Sequence, residues 1–218
     1  MASEKAPTAS QSIRIKSLEN KLHQETSLRH LQNRVHTADL DEIMMQVKED
    51  VRRLLEAERV TIFLKDPVKG DLVSRVKDGS EIKDIRIPIS ASSLAGFVAQ
   101  STHSLRLCNA YDPVELATID IHLMFDKEWD KQTGFKTRQV LAVPVLKDGK
   151  LYGVMQALNS KKHEPFTDEQ ENLATEFAGA LAIACSNKQR INIRASAYDM
   201  LIRTEVITQD VFDRSQAA

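Results

Sequence analysis

The sequence predicts an α+β fold in which helices flank an antiparallel sheet of about six strands. Three observations carry that expectation. Amphipathic helical segments open the chain, hairpin-type strand pairs separated by turn residues fill its middle, and a long helical run closes it. With 218 residues, the chain is long enough for one domain plus extensions, because domains usually run to about 100–200 residues.

Residues 1–11 are small and polar and include a proline. They bury too little apolar surface to offset ordering entropy, so a disordered tail is expected there. Residues 12–38 read as a helix whose apolar stripe changes phase, with Ile15, Leu18 and Leu22 on one face and Leu28, Leu31 and Val35 on another. Such a helix either lies on its own domain or uses its first half to meet a partner chain. From Asp39, a helix N-cap with Glu42 three residues on, a stripe of Leu40, Ile43, Met44, Val47, Val51, Leu54 and Leu55 is set to pack on a sheet.

Val60, Ile62 and Leu64 alternate as in a half-buried strand, and the turn-rich DPVKGD leads into LVSRV as a hairpin. In IRIPIS, Pro88 points to an edge strand or a strand end. Ser92 or Ser93 caps a short helix in SLAGFVAQST, and LRLCNA reads as a further short strand. Between Tyr111 and Phe135, the spacing of Leu116, Ile119, Leu123 and Met124 predicts one helix and a loop, with Trp129 among charges. The pair RQVLAVPVL and LYGVMQALN, joined through Asp148 and Gly149, predicts a type I′ hairpin at the sheet centre. Thr167 and Gln170 form a capping box that opens a long helix carrying Leu173, Phe177, Leu181, Ala184 and Cys185 on one face. The expected division is a tail at 1–11, a pairing helix at 12–38, a domain at 39–190 and a linker or helical extension at 191–218, which could begin a following domain.

Lys and Arg number 30 against 31 Asp and Glu, a net charge of -1. The broad positive field that holds nucleic acid is missing, so no nucleic-acid partner is expected. The two cysteines follow neither a CxxC spacing nor a disulfide framework, which fits a reducing compartment. No apolar signal core or membrane-length run is seen, and the expectation is a cytoplasmic protein. Phosphate loops, HExxH and GxSxG are absent from the sequence, and its histidines lack metal-ligand spacing. No enzyme activity, metal or cofactor is therefore expected.

The run TGFKTRQVLAVPV from Thr133, then GVMQALN from Gly153, then FTDEQENLATEFAGALAIA from Phe166 resembles GAF domains, especially those of cyclic-nucleotide phosphodiesterases and adenylyl cyclases. SSLAGFVAQSTHSLRLCNAY matches the upstream GAF segment, and the likeness covers Asp39 to Asn187. The resemblance implies a GAF/PAS-like, profilin-like sheet, a pocket roofed by the short helix and the central segment, and dimers paired through the terminal helices. Nucleotide-binding members carry an Asn-Lys pair, then a Phe, then Asp-Glu three residues later. Here Asn159 and Phe166 stand in place, but Ser160 occupies the Lys position and Gln170 and Glu171 follow, so the Lys–Asp ion pair has no counterpart. The tail YDMLIRTEVITQDVFDRS also resembles the opening of the N-terminal domain of type II secretion and type IV pilus assembly ATPases; a trailing amphipathic helix is the plainer reading.

A cyclic nucleotide or similar anion needs donors for its phosphate and a dry cleft for its base. Ser92, Ser93, Leu94, Ala95 and Gly96 open a helix whose amides suit an anion; ordinary capping by the serines is the alternative. Carried over from the resemblance, the pocket floor takes Asn109, Ala110 and Asp112, then Thr118 and His122 on the central helix, then Arg138 and Leu141 from the next strand. His122 lacks a neighbouring Cys, so the bilin-attaching version of the fold is not supported, and a partly buried structural histidine is its other role. Arg138 could equally hold a surface carboxylate. Three function classes follow: a non-catalytic sensor of a small effector, a purely structural homodimerisation module with Phe97, Leu123, Met124 or Phe125 filling the pocket, and, last, a free methionine sulfoxide reductase, for which Cys108 and Cys185 are too few.

Overall fold

The computed structural model describes residues 14, 16–19, 22, 25, 26, 48–78 and 81–216. The expected tail at 1–11, the second apolar face of the first helix and the Asp39 cap lie outside them. The described positions between 14 and 26 are helical, with Leu18 and Leu22 exposed.

Helix α1, described over 48–54, leads into strands β1 (Ala57–Lys65), β2 (Leu72–Asp78) and β3 (Glu81–Ile87). Helix α2 (Leu94–Ser101), strand β4 (Leu105–Leu107) and helices α3 (Pro113–Ile119) and α4 (Glu128–Thr133) follow. The hairpin β5 (Val140–Lys147) and β6 (Lys150–Ser160) precedes helix α5 (Asp168–Gln216). The strands form one six-stranded sheet in the order β3-β2-β1-β6-β5-β4, antiparallel at every junction. The predicted edge strand is therefore an edge, and the predicted central hairpin supplies β6 beside β1. Asp148 and Gly149 both have positive φ, 51° and 73°, the requirement of a type I′ turn.

Both faces of the sheet are covered. On one, Val51 and Leu55 meet Val60, Ile62, Leu141, Val143 and Met155 beneath Leu173, Phe177 and Leu181 of α5. On the other, Phe63, Leu72, Val140, Ala142 and Val154 pack against Leu94, Ala95 and Val98 of α2 and against Leu116 and Leu123. The half-buried first strand expected from alternation is corrected by Phe63, which is buried on the second face. Burial on both faces is what lets β5 and β6 read as continuous apolar runs. A fully buried Phe such as Phe177 contributes roughly 1.5–3 kcal/mol.

The capping box forms as predicted. Thr167 Oγ1 accepts from Gln170 N at 3.2 Å, and Gln170 Oε1 accepts from Thr167 N at 2.9 Å. In place of the one helix and loop expected between Tyr111 and Phe135 stand two short helices. Asp120 takes an extended conformation (φ -156°, ψ 134°) that ends α3, and Gly134 in the left-handed region (φ 67°) closes α4. The strand expected through Ala110 stops at Leu107, because the Cys108 and Asn109 amides donate to the Glu115 carboxylate at 2.6 and 2.8 Å rather than to a neighbouring strand. Residues 168–216 form one unbroken helix, so the 191–218 extension continues the domain's last helix as far as Gln216.

Candidate functional site

The site builds up from the turn before α2. Ser93 is the N-cap, its Oγ accepting from Gly96 N at 3.1 Å. The first amides of a helix have no intrahelical partner; Ser93 takes the third and leaves those of Leu94 and Ala95 at the helix mouth. Ser90 and Ser92 share a hydroxyl hydrogen bond of 2.7 Å beside them. Glycine is required at position 96 because a Cβ there would sit 2.5 Å from the Pro88 and Ser90 carbonyl oxygens. The close approach that Gly96 permits is thus that of the chain's own 88–90 backbone.

A strap, residues 111–137, leaves the sheet after β4, crosses the α2 face and returns at β5. Its base is tied by Ala110 N donating to Arg138 O at 2.8 Å, and its apex by Met124 N donating to Ala91 O at 2.9 Å, next to the α2 mouth. Inside the strap, the buried Asp130 carboxylate accepts from the Tyr111 hydroxyl (2.9 Å), Thr137 N (2.6 Å) and Thr137 Oγ1 (2.8 Å). The Tyr111 ring meets Phe125 edge to face at a centroid distance of 5.2 Å. The Asp130 carboxylate, as hydrogen-bond acceptor, raises the Tyr111 hydroxyl above its ordinary range. Asp130 looks like a surface acid in EWDKQT, and no local pattern marks it as the strap's anchor.

Leu94, Ala95 and Ala110 come together in the apolar layer of the α2 face. Asn109 is exposed, its Oδ1 accepting from Tyr111 N, and Asp112 caps α3 through Val114 N at 2.9 Å. Thr118 is exposed and donates to Glu115 O. His122 lies beyond the end of α3 and is exposed, which corrects both its expected place on a helix and its partly buried alternative role. Leu141 is buried on the opposite face of the sheet, under α5, and is not brought to the other predicted residues. Of the four side chains expected to fill a pocket, Leu123 is buried and Phe97 and Phe125 pack against the same layer, whereas Met124 faces outward.

Arg138 turns toward a polar knot. Its Nη2 lies 3.5 Å from Glu58 Oε1 and 3.4 Å from His163 Nδ1, which favours the carboxylate-holding role. Asn159 is the centre of that knot. It is buried at a φ of 53°, its Nδ2 donates to Glu58 Oε2 (2.8 Å) and Lys136 O (2.9 Å), and its Oδ1 accepts from Arg138 N (2.6 Å). Glu58 went unseen in the sequence because its partners lie about a hundred residues away. The two thiols stand on separate elements, Cys108 after β4 and Cys185 in α5. Desolvation, then the Glu115 carboxylate, pushes the Cys108 thiol up, and burial pushes Cys185 up to about 11.

The family model for the GAF domain matches residues 39–185. The chain belongs to the GAF family. A probable 3′,5′-cyclic phosphodiesterase of Caenorhabditis elegans is 28% identical over 179 residues, covering 76% of this chain and 22% of that protein. The dual 3′,5′-cyclic-AMP and -GMP phosphodiesterase 11A of Takifugu rubripes is 27% identical, covering 80% of this chain and 20% of that protein. The chain therefore spans about a fifth of the length of these curated relatives. Among solved structures, the GAF domain of a phosphoenolpyruvate-protein phosphotransferase from Coxiella burnetii superposes with a TM-score of 0.62 at 18% identity, covering 79% of this chain and 98% of that one. This likeness shows the fold alone.

In this GAF domain, the positions of the missing Lys–Asp pair are engaged elsewhere. Ser160 is buried and its Oγ accepts from Lys162 N at 3.3 Å, while Gln170 Nε2 donates to Leu55 O at 2.8 Å. The chain ends of α1 and β6 are joined instead by Lys162–Glu56 at 2.5 Å. Among the described residues, no group of His, Cys, Asp or Glu is arranged to hold a metal ion, and no helix is long and apolar enough to cross a membrane.

Proposed function

We infer that this GAF domain is a non-catalytic regulatory module of signal transduction, that it takes a small effector of the cyclic-nucleotide class between α2 and the strap, and that two copies pair through their terminal helices. The observation that carries the reading is the family membership together with relatives described as cyclic-nucleotide phosphodiesterases. The α2 mouth supports it: uncapped amides at a helix start favour an anion, and three serines stand beside them. The strap apex is hydrogen-bonded to Ala91, so an occupant at the mouth would bear directly on the strap. An effector shifts the arrangement of the domain only by its difference in affinity for the two arrangements. The sensing reading needs no ligand contact from Leu141, and it assigns Arg138 to the Glu58 knot.

Calorimetric titration of the whole chain with cyclic AMP, cyclic GMP and cyclic di-GMP tests this. Binding of one, with a rise in melting temperature that grows with ligand concentration, is expected. Silence with all three would leave the purely structural homodimer, a reading favoured by Leu123, Phe97 and Phe125 packing into the α2 face. Sedimentation equilibrium showing only a 24.5 kDa species at micromolar concentration would remove the pairing. The methionine sulfoxide reductase reading ranks last, because such chemistry needs an activated thiolate and both thiols here are shifted upward. The secretion-ATPase setting rests on the tail's resemblance and would be supported by finding this helix continuous with an ATPase domain; the cytoplasmic location rests on the cysteine usage and the polar N-terminus.

A further inference from the structure

The outer surface of the strap exposes several large apolar side chains. In α3, Leu116 alone is buried. Val114, Ile121 and Met124 stand 69%, 81% and 62% exposed, and Trp129, the chain's one tryptophan, is 43% exposed. Single exposed apolar residues are ordinary; these four, within sixteen positions, concentrate uncovered apolar area on one surface segment. The same stretch is acidic. Over the strap, residues 111–137, Asp112, Glu115, Asp120, Asp126, Glu128 and the buried Asp130 stand against three cations, Lys127, Lys131 and Lys136. Most of these carboxylates are held by uncharged backbone amides, as Asp120 is by His122 N and Asp126 by Glu128 N, and such donors leave their negative charge uncancelled. Lys131 pairs with Glu128 and also acts on Asp126 at longer range, leaving Asp112, Glu115 and Asp120 with uncharged donors alone.

Charge selects the occupant. A second copy presenting this same face would set carboxylate against carboxylate, and an anionic lipid surface would be repelled in the same way. An apolar stripe flanked by cations satisfies both features. We propose that the outer face of the strap docks a basic amphipathic helix of a partner protein, its apolar side on Val114, Ile121 and Met124 and its cations against the surrounding carboxylates. This docking does not depend on whether an effector binds at α2.

Trp129 supplies the readout. Two synthetic 18-residue amphipathic helices with one shared leucine face, one with lysine and one with glutamate on the polar side, are titrated against the whole chain while Trp129 emission is followed. The lysine peptide is expected to shift the emission to the blue, and its affinity is expected to fall at least tenfold between 50 and 500 mM salt. The double variant Ile121→Ser, Met124→Ser should weaken it at least tenfold, and Asp120→Asn with Asp126→Asn should weaken it and flatten the salt dependence. All four side chains are exposed or partly so, and unchanged melting curves verify that the fold is intact. Equal binding of the two peptides, binding indifferent to both variants, or no binding of the lysine peptide at millimolar concentration would overturn the proposal. A blue shift on anionic vesicles without one on the lysine peptide would also overturn it, in favour of a membrane.

Discussion

Replacing Asn159 tests how far one buried amide holds the two ends of the domain's fold together. Its side chain makes three hydrogen bonds, to Glu58, Lys136 and Arg138, and its backbone sits in the left-handed region at φ 53°. Asn159→Ala removes all three and strands the Arg138 amide, a loss of about 2–3 kcal/mol by the usual cost of an unpaired buried donor. An alanine in the left-handed region adds about 1–2 kcal/mol, for a total near 4 kcal/mol. Asn159→Gly loses the same bonds but tolerates the backbone, and should recover about 1 kcal/mol of that. Asn159→Asp keeps the shape but sets a carboxylate oxygen 2.8 Å from Glu58 Oε2, and adding Glu58→Gln should restore part of the loss. In urea denaturation, with a slope near 2 kcal/mol/M, the alanine variant should unfold at a midpoint lower by about 2 M. A drop below about 0.5 M, or identical midpoints for alanine and glycine, would refute the account of Asn159 as both a hydrogen-bond hub and a backbone specialist.

Two further outcomes follow from the titrating groups. At pH 8, Cys108, exposed but beside the Glu115 carboxylate, should react with a disulfide reagent more slowly than free cysteine, and Cys185, buried at about 11, should react only when the chain is unfolded; fast modification of native Cys185 would contradict its burial, and fast modification of Cys108 the influence of Glu115. Asp66 accepts from Val68 N and also from Lys69 N and Arg86, which lowers its carboxyl from 3.8 to about 2. Because the folded value is depressed, this support for the β1–β2 turn is fully present above 3.8 and is lost as pH falls through about 2. A carboxyl titration followed by NMR should place its midpoint near 2, and Arg86→Gln should move that midpoint upward.

What the sequence disclosed and what it hid divide along the range of the interactions. Asp148-Gly149, Thr167-Gln170 and the Ser93 cap were legible because each is satisfied within four residues, where local chemistry and backbone geometry decide together. The central place of β5 and β6 was legible because burial on two faces removes the polar alternation. The break between α3 and α4 was hidden, since Leu116, Ile119, Leu123 and Met124 keep helical spacing although Asp120 turns the chain away. At the candidate site, the α2 mouth could be read from serines and a glycine. The inward side of Leu141 could not, because a strand's facing is fixed only by its register, here Leu141 opposite Ala157. Asp130 was invisible for a related reason: its donors, Tyr111 and Thr137, are contributed by chain on either side of the strap and meet only after it has folded.

The same register constrains how the domain could transmit a signal. The α2 mouth and strap rest on Val140, Ala142 and Val154, whereas α5 rests on Leu141, Val143 and Met155. These two sets alternate along the same two strands, so a shift of the β5 and β6 backbone would connect an occupant on the α2 face to α5. Gly153 lets that backbone lie close against β1, where a Cβ would clash with Phe63 O. Beyond Ser186, α5 runs on for 30 residues to Gln216, which at 1.5 Å per residue is about 45 Å of helix. A small tilt where β5 and β6 support its first turns is multiplied over that length. Coupling by this route requires a continuous rod, and the last helix carries no proline or glycine after Gly179.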